Sequence, residues 1–473
     1  MAVVTTELHD LGALDLAAAV RRREVSALEV TEHFLTRAET DDVGAFTVLA
    51  ADLALAQARE TDHLLRTDPD AAGPLAGVPC PVKDLTLVAG VPARFGTAAL
   101  DPVVPTVDDG VVQLLRRAGT IMLGKTSTPE FGLPCYTEPD TGPPAVTPWD
   151  RTRSAGGSSG GAAAAVAARL VPVAHGSDGG GSIRLPAACC GLVGLKPTRG
   201  LVSPGPHGQP GPGLATSGVL TRDVADTAAL LDVLAVPWPG DWPVPRPDSF
   251  AAVAARPPRR LRVGVLTAPL IHPGAPVHPA ALRAVERAAG TLESVGHEVT
   301  GLEPPFPPEA WQGFAAVWAV GALGAPVPPE REERLRPLTR WLRERGRSVT
   351  GLAHARALQA MQQLTQQVGT AWQHVDVVLT PTMAAAPWPV GALRDDADPA
   401  ADFDGQTAQT PWCSVWNITG APSLQLPLHA EEVDGRRLPF GVLLGGRPGA
   451  DAELLALGAE LEGLLGRPTP GLA

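Results

Sequence analysis

The chain has 473 residues and a formal net charge of −12, with 38 basic and 50 acidic side chains. No basic cluster exceeds Arg21-Arg22-Arg23, so the basic stripe of a nucleic-acid reader is missing. No apolar run reaches the roughly 18 residues of a membrane span. Met1 to Asp10 lack the charged start and apolar stretch of a secretory signal. Five cysteines (Cys80, Cys135, Cys189, Cys190, Cys413) form no C-x-x-C pair, which predicts reduced thiols in a cytoplasmic protein. Length alone suggests two or three domains.

In chain order, helical periodicity covers 13–39, a strand is expected over Ala45–Leu49, and a helix over Leu53–Leu65. Residues 75–88 read as an apolar strand–turn unit ending in Val82-Lys83-Asp84. A helix over Asp109–Ala118 and a strand over Thr120–Leu123 precede a short alanine-rich helix, Ala162–Ala168, and an apolar run, Leu170–Ala174. Then come a strand at Leu192–Leu195, a helix at Asp223–Leu234 and a Pro/Trp-rich surface excursion over 237–258. Further on, the pattern predicts a strand over 261–266, helices over His278–Val295, Trp311–Leu323, Arg331–Arg345 and His354–His374, and a strand at Val375–Leu379. The end reads as strands at Gly420–Leu428 and Phe440–Leu444 and a helix at Ala452–Leu465. Alternating helices and short apolar strands predict an α/β sheet covered on both faces.

Two glycine-rich serine loops stand out: Gly156-Gly157-Ser158-Ser159-Gly160-Gly161 and Gly179-Gly180-Gly181-Ser182-Ile183-Arg184. Glycines around a serine expose backbone N–H groups and permit close approach of a substrate. The amides from Gly179 to Ser182 offer an oxyanion hole, which points to acyl transfer. A flexible linker is the alternative for the first loop, but an alanine-rich helix follows it directly.

Serine needs a base. His175, near the second loop, fits no Ser-His-Asp order and reads rather as a structural residue. Only three of the 38 basic residues are lysines: Lys83, Lys125 and Lys196. Arginine does not lose its proton in a protein, whereas a buried lysine does. At an ordinary pKa about one lysine in a few thousand is neutral at pH 7, and burial among Val78, Pro79, Pro81 and Val82 would raise that share. A salt bridge to Asp84 is the competing role for Lys83. Gly119 to Thr126 matches the G-x-x-x-x-G-K-[ST] phosphate loop by letter. Its Ile121-Met122-Leu123 favour a buried strand, however, and Pro129 interrupts any helix that would follow.

Residues 154–198, from Ser-Ala-Gly-Gly-Ser-Ser-Gly-Gly through Gly-Gly-Gly-Ser-Ile-Arg to Gly-Leu-Lys-Pro-Thr, closely resemble the amidase signature family. Gly77-Val78-Pro79 with Val82-Lys83-Asp84, Gly124-Lys125-Thr126 with Pro129-Glu130-Phe131-Gly132, and Asn417 to Pro422 extend the likeness over most of the chain. The resemblance implies one amidase signature domain over 1–473, a large mixed, mostly parallel sheet with helices on both faces. Its core would span about 75–200, with 237–258 and 300–410 variable and on the substrate side. It also implies a Ser–cis-Ser–Lys triad of Ser182 as nucleophile, Ser158 as bridge and Lys83 as base, with a cis Gly157–Ser158 bond. Ser159 and Asp178 would be supporting residues, Arg184 and Lys196 structural, and no metal or organic cofactor is implied. Ser177 stands beside Asp178 where family members often have threonine.

Seven of ten tryptophans fall between Trp311 and Trp416. Phe131, Tyr136, Trp412 and Trp416 are candidates to line a pocket for an apolar, aryl or oligomeric amide, although buried aromatics also serve as plain core. The stretch from His175 with Pro197 to Pro206 is similar to enzymes that hydrolyse 6-aminohexanoate cyclic dimer. The expected partner is a small-molecule amide, with no nucleic acid, no membrane and a homodimer left open. A glutamine-hydrolysing amidotransferase subunit and a non-catalytic nucleotide binder are the alternatives.

Overall fold

The computed structural model describes residues 7–206 and 213–471, so the first six residues of the N-terminal reading lie outside the described residues. The helical period over 13–39 becomes two helices, Ala13–Arg21 and Ala27–Glu39. Between them Arg23 takes φ +59°. Ser26 then restarts the helix with a capping box: its hydroxyl accepts from the Glu29 N–H, and the Glu29 carboxylate accepts from the Ser26 N–H. The Ser-x-x-Glu spacing carried that signal in the sequence.

Strands β1 (Phe46–Leu49), β2 (Val82–Lys83) and β3 (Gly124–Thr126) form a small sheet with β3 in the centre. Strands β4 (Val146–Thr147) and β5 (Asp150–Ser154) pair as a ribbon. The large sheet holds β6 (Val173–Asp178), β7 (Val193–Lys196), β8 (Thr216–Thr221), β9 (Arg262–Val265), β10 (Glu298–Gly301), β11 (Val377–Pro381), β12 (Ser423–Val433) and β13 (Arg436–Gly446). Their order is β10-β9-β11-β13-β12-β7-β8-β6.

The large sheet is mixed and of the expected α/β kind, with parallel pairing concentrated in β10-β9-β11 and antiparallel pairing from β11 through to β6. Parallel neighbours are therefore fewer than expected. One cause is local: the two strands expected at the C-terminal end are one long hairpin. Asp434 (φ +51°) and Gly435 (φ +72°) turn β12 into β13, the Asp-Gly two-residue turn whose twist matches antiparallel strands. Strands β8 and β10 and the helix Pro399–Gln409 were not anticipated.

Side chains alternate between two apolar cores. Ala174, Leu220, Val378 and Leu443 enter one, while Val173, Val219, Val377 and Leu444 enter the other, as the two-residue period of a sheet requires. The first core takes the helix Gly160–Ala167, all of whose residues are buried. Into the second pack the helices Val224–Leu234, Pro279–Ser294 and Asp451–Leu465.

The strand expected at Thr120–Leu123 begins later, and Gly124, Lys125 and Thr126 are buried within β3. Lys125 Nζ lies 2.9 Å from Asp84 Oδ1, with both side chains fully enclosed. No helix starts at Lys125-Thr126, which overturns the phosphate-loop alternative.

Gly445 of β13 lies against the Trp416 ring; a Cβ there would sit 1.9 Å from the indole. Gly445→Ala is expected to cost about 1–3 kcal/mol through overpacking, read as a lower urea midpoint at unchanged m-value.

Candidate active site

Both serine loops sit where a strand or turn hands over to a helix. The first precedes the helix Gly160–Ala167, and the Gly157–Ser158 peptide in it is cis. Gly157 is forced by close approach: a Cβ there would meet the Tyr136 backbone at 2.8 Å. The second loop leaves β6 at Asp178 and enters the helix Arg184–Cys190. The loops are tied directly, because the Ser159 N–H donates to the Ser182 carbonyl at 3.1 Å. Ser159 Oγ also donates to the Ser177 carbonyl at 3.2 Å.

Lys83, on β2, is completely buried and donates from Nζ to Ser158 Oγ at 2.8 Å and to the Ser177 carbonyl at 3.2 Å. Asp84 is committed to Lys125 instead, so the expected competitor for Lys83 is engaged elsewhere. Burial lowers the Lys83 pKa to about 7, opposed by the more distant charge of Asp178. About half of such lysines are neutral at pH 7. Ser158 is 2 % exposed and Ser182 8 %, so of the three only Ser182 reaches appreciably toward open space. Lys196 is likewise lowered to about 7, by burial and then by Arg184, but its Nζ donates to the Pro197 carbonyl at 2.9 Å. Contact with a serine, rather than basicity, separates the two lysines. His175 is buried with its pKa lowered to about 3, by burial and then by Lys83 and Lys125. It makes no side-chain hydrogen bond among the described residues, which leaves the Ser-His-Asp arrangement unformed.

Asp178 organises the second serine loop. Its Oδ1 accepts from the Gly181 N–H at 2.8 Å and its Oδ2 from the Ile183 N–H at 3.1 Å. Arg184 adds Nη2 at 2.8 Å and Nε at 2.9 Å, and Asn417 Nδ2 donates at 2.9 Å. Arg184 also holds Asn417 Oδ1 at 2.7 Å and the Cys413 carbonyl at 2.7 Å. Burial would raise the Asp178 carboxyl, yet the Arg184 guanidinium and these hydrogen bonds outweigh it and hold it far below the usual carboxylate range. Arg184 is thus more than filler, and the role of Asn417, noted in the sequence only as part of a motif, is to clamp this pair.

The same geometry corrects one oxyanion expectation. Gly181 gives its N–H to Asp178 and is unavailable. The N–H groups of Gly179, Gly180 and Ser182 have no hydrogen-bond partner among the described residues.

A pocket opens at Ser182, bounded by Leu133, Pro134 and Cys135 on one side and by Trp311, Phe314, Trp318 and Phe403 on another. Trp311 and Phe314 stack at 5.2 Å between ring centres, and Phe314 and Trp318 at 5.3 Å. None of the four aromatics expected here lines it. Phe131 packs against Ala99, Val327 and Leu335; Tyr136 is buried and donates to Asp402 Oδ2 at 2.6 Å. Trp412 is core, its indole donating to the Ala268 carbonyl at 2.9 Å, and Trp416 lines a different cavity. Sequence proximity to a motif does not say which way a ring points. The stripe Trp311, Phe314, Trp318 on one helical face was the available signal.

The chain belongs to the amidase signature family: the Amidase family model matches residues 29–455. A protein of Synechocystis sp. described as an amidase is 38 % identical over 473 residues, covering 97 % of this chain and 89 % of the relative. The solved 6-aminohexanoate cyclic dimer hydrolase superposes with a TM-score of 0.88 at 30 % identity, covering 98 % and 99 % of the two chains. A bacterial aryl acylamidase of the same family superposes at 0.84 with 25 % identity, covering 98 % and 100 %. The protein is an amide hydrolase. No helix among the described residues is long and apolar enough to cross a membrane.

Asp178→Ala leaves the Arg184 charge buried without its carboxylate, and is expected to cost about 3–5 kcal/mol. Urea unfolding would show it, and Arg184→Met in the same chain should recover part of the loss.

Proposed function

We propose that Ser182 attacks the carbonyl of a neutral amide whose acyl part is apolar or aromatic, with Ser158 and Lys83 as its proton relay. The observation that carries this reading is Lys83: buried, lowered to about 7, and bonded to a serine rather than to a carboxylate. Neutral Lys83 takes the Ser158 proton as Ser158 takes that of Ser182. The Ser182 oxygen then bonds to the carbonyl carbon, and the oxyanion accepts from the amides of Gly179, Gly180 and Ser182. Collapse breaks the C–N bond as the relay returns the proton to the leaving nitrogen. Water resolves the acyl-enzyme by the same path, releasing the acid. Ser159 and Asp178 act by positioning the two loops.

The pocket supports the substrate class. No charged side chain is among the residues bounding it, so nothing there would hold the ammonium and carboxylate of glutamine. Stacked rings favour aryl and apolar groups. The likeness to a cyclic dimer hydrolase and an aryl acylamidase agrees with such substrates. This reading stands ahead of a glutamine-hydrolysing subunit.

Purified enzyme should release amines from anilides and bulky secondary amides, with Ser182→Ala lowering kcat/KM by at least 10³-fold, or about 4 kcal/mol of barrier. Activity within about tenfold of wild type in that variant would remove Ser182 from the role. Lys83→Arg should fail to rescue, because arginine stays protonated. Wild-type kcat/KM should rise with pH through an apparent pKa near 7, since only deprotonated Lys83 accepts a proton. A flat profile between pH 5.5 and 8.5 would place the base elsewhere.

A further inference from the structure

A second cavity, of about 330 Å³, shares no residue with the pocket at Ser182. Its wall is formed by the C-terminal end of the helix Gly351–Ala371, the start of β11 and the end of β13. Val368, Trp372, Val378, Trp416 and Ala421 give it an apolar, aromatic interior. The Trp372 and Trp416 rings lie 5.8 Å apart, tilted by 31°. Both indole N–H groups are buried with no hydrogen-bond partner among the described residues, an uncommon state for tryptophan.

Charge at the rim is unequal. Asp376 and Arg447 are the charged side chains bounding the cavity. Asp376 is shared by Arg262 at 3.0 Å, Arg259 at 3.4 Å and Arg447 at 3.4 Å, and among the described residues the only other carboxylate bonded to these three is Glu453, on Arg259. Arg447 spends Nε and Nη2 on the Val375 and Gln373 carbonyls; its Nη1 has no partner among the described residues. An apolar, aromatic chamber of this size with a guanidinium at its rim suits a flat apolar group that carries a negative charge.

We propose that this cavity is a second ligand site, distinct from the catalytic pocket, that takes a small aromatic carboxylate. The rings would lie against Trp372 and Trp416 and the carboxylate would meet Arg447. The site is one helix from the catalytic centre. Trp416 lies on the helix Ser414–Thr419, whose Asn417 clamps Asp178 and whose Ser414 accepts from the Trp311 indole at 2.8 Å.

Isothermal titration of the whole protein with 1-naphthoate tests the proposal without depending on turnover. Wild type should bind saturably, one per chain at the cavity. Gly369 bounds the cavity, and a Cβ there meets nothing within 4 Å, so Gly369→Phe should fill it and leave the fold and basal hydrolysis intact. Affinity should fall at least tenfold in Gly369→Phe and several-fold in Arg447→Gln. Absence of saturable heat up to millimolar ligand, or affinity within twofold of wild type in Gly369→Phe, would overturn it. Naphthoate bound in the Ser182 pocket would give that second result, and the catalytic reading would survive it.

Discussion

One buried ion pair, Asp178 with Arg184, is what the arrangement of the two serine loops rests on. Both side chains are fully enclosed, and a buried pair of this kind is weak evidence for stability by itself. Its value here is geometric. Asp178 draws in the backbone of Gly181 and Ile183 on either side of Ser182. Arg184 and Asn417 then fasten that turn to a helix more than 200 residues further along the chain. A tight turn with few side chains of its own is thereby held in one shape, with the N–H groups of Gly179, Gly180 and Ser182 unpartnered among the described residues.

Desolvation is the second constraint. Lys83 would be useless as a base in water, and Asp84 beside it would normally keep it charged. The fold removes both obstacles by burying Lys83 and by giving Asp84 to Lys125 in the neighbouring strand. Two buried lysines end near the same basicity, yet Lys196 meets a backbone carbonyl and Lys83 a serine hydroxyl. Burial tunes a group, and only its neighbours give it a task. The aromatic wall at Ser182 follows the same logic: the stacked rings of Trp311, Phe314 and Trp318 supply apolar surface beside a loop of backbone amides.

Much of this was legible in the residues themselves. The glycine-serine loops, the scarcity of lysine and the helical and strand periods are local patterns, so the α/β class and the candidate side chains could be named before any contact was known. Boundaries were less secure. The break at Arg22–Ser26 and the Asp434-Gly435 turn had local signals that periodicity alone passed over, and β3 begins after the apolar run that seemed to announce it, where Ile121 makes an isolated bridge to Pro79. The share of parallel neighbours was also out of reach, since strand order arises from contacts between distant segments.

By itself, then, the sequence determined which chemistry is present: a serine amid exposed amides, a lysine set in apolar surroundings, and an alternation of helices and strands. Tertiary structure decided the rest. It set Lys83 against a serine and Lys196 against a carbonyl, assigned Asp84 to Lys125, committed the Gly181 N–H to Asp178 and turned Trp311, Phe314 and Trp318 toward the pocket at Ser182 while sending Tyr136, Trp412 and Trp416 elsewhere. The physical reason is one of range. Periodicity and turn chemistry act over a few residues, whereas hydrogen-bond partners, burial and ring direction depend on side chains brought together from opposite ends of the chain.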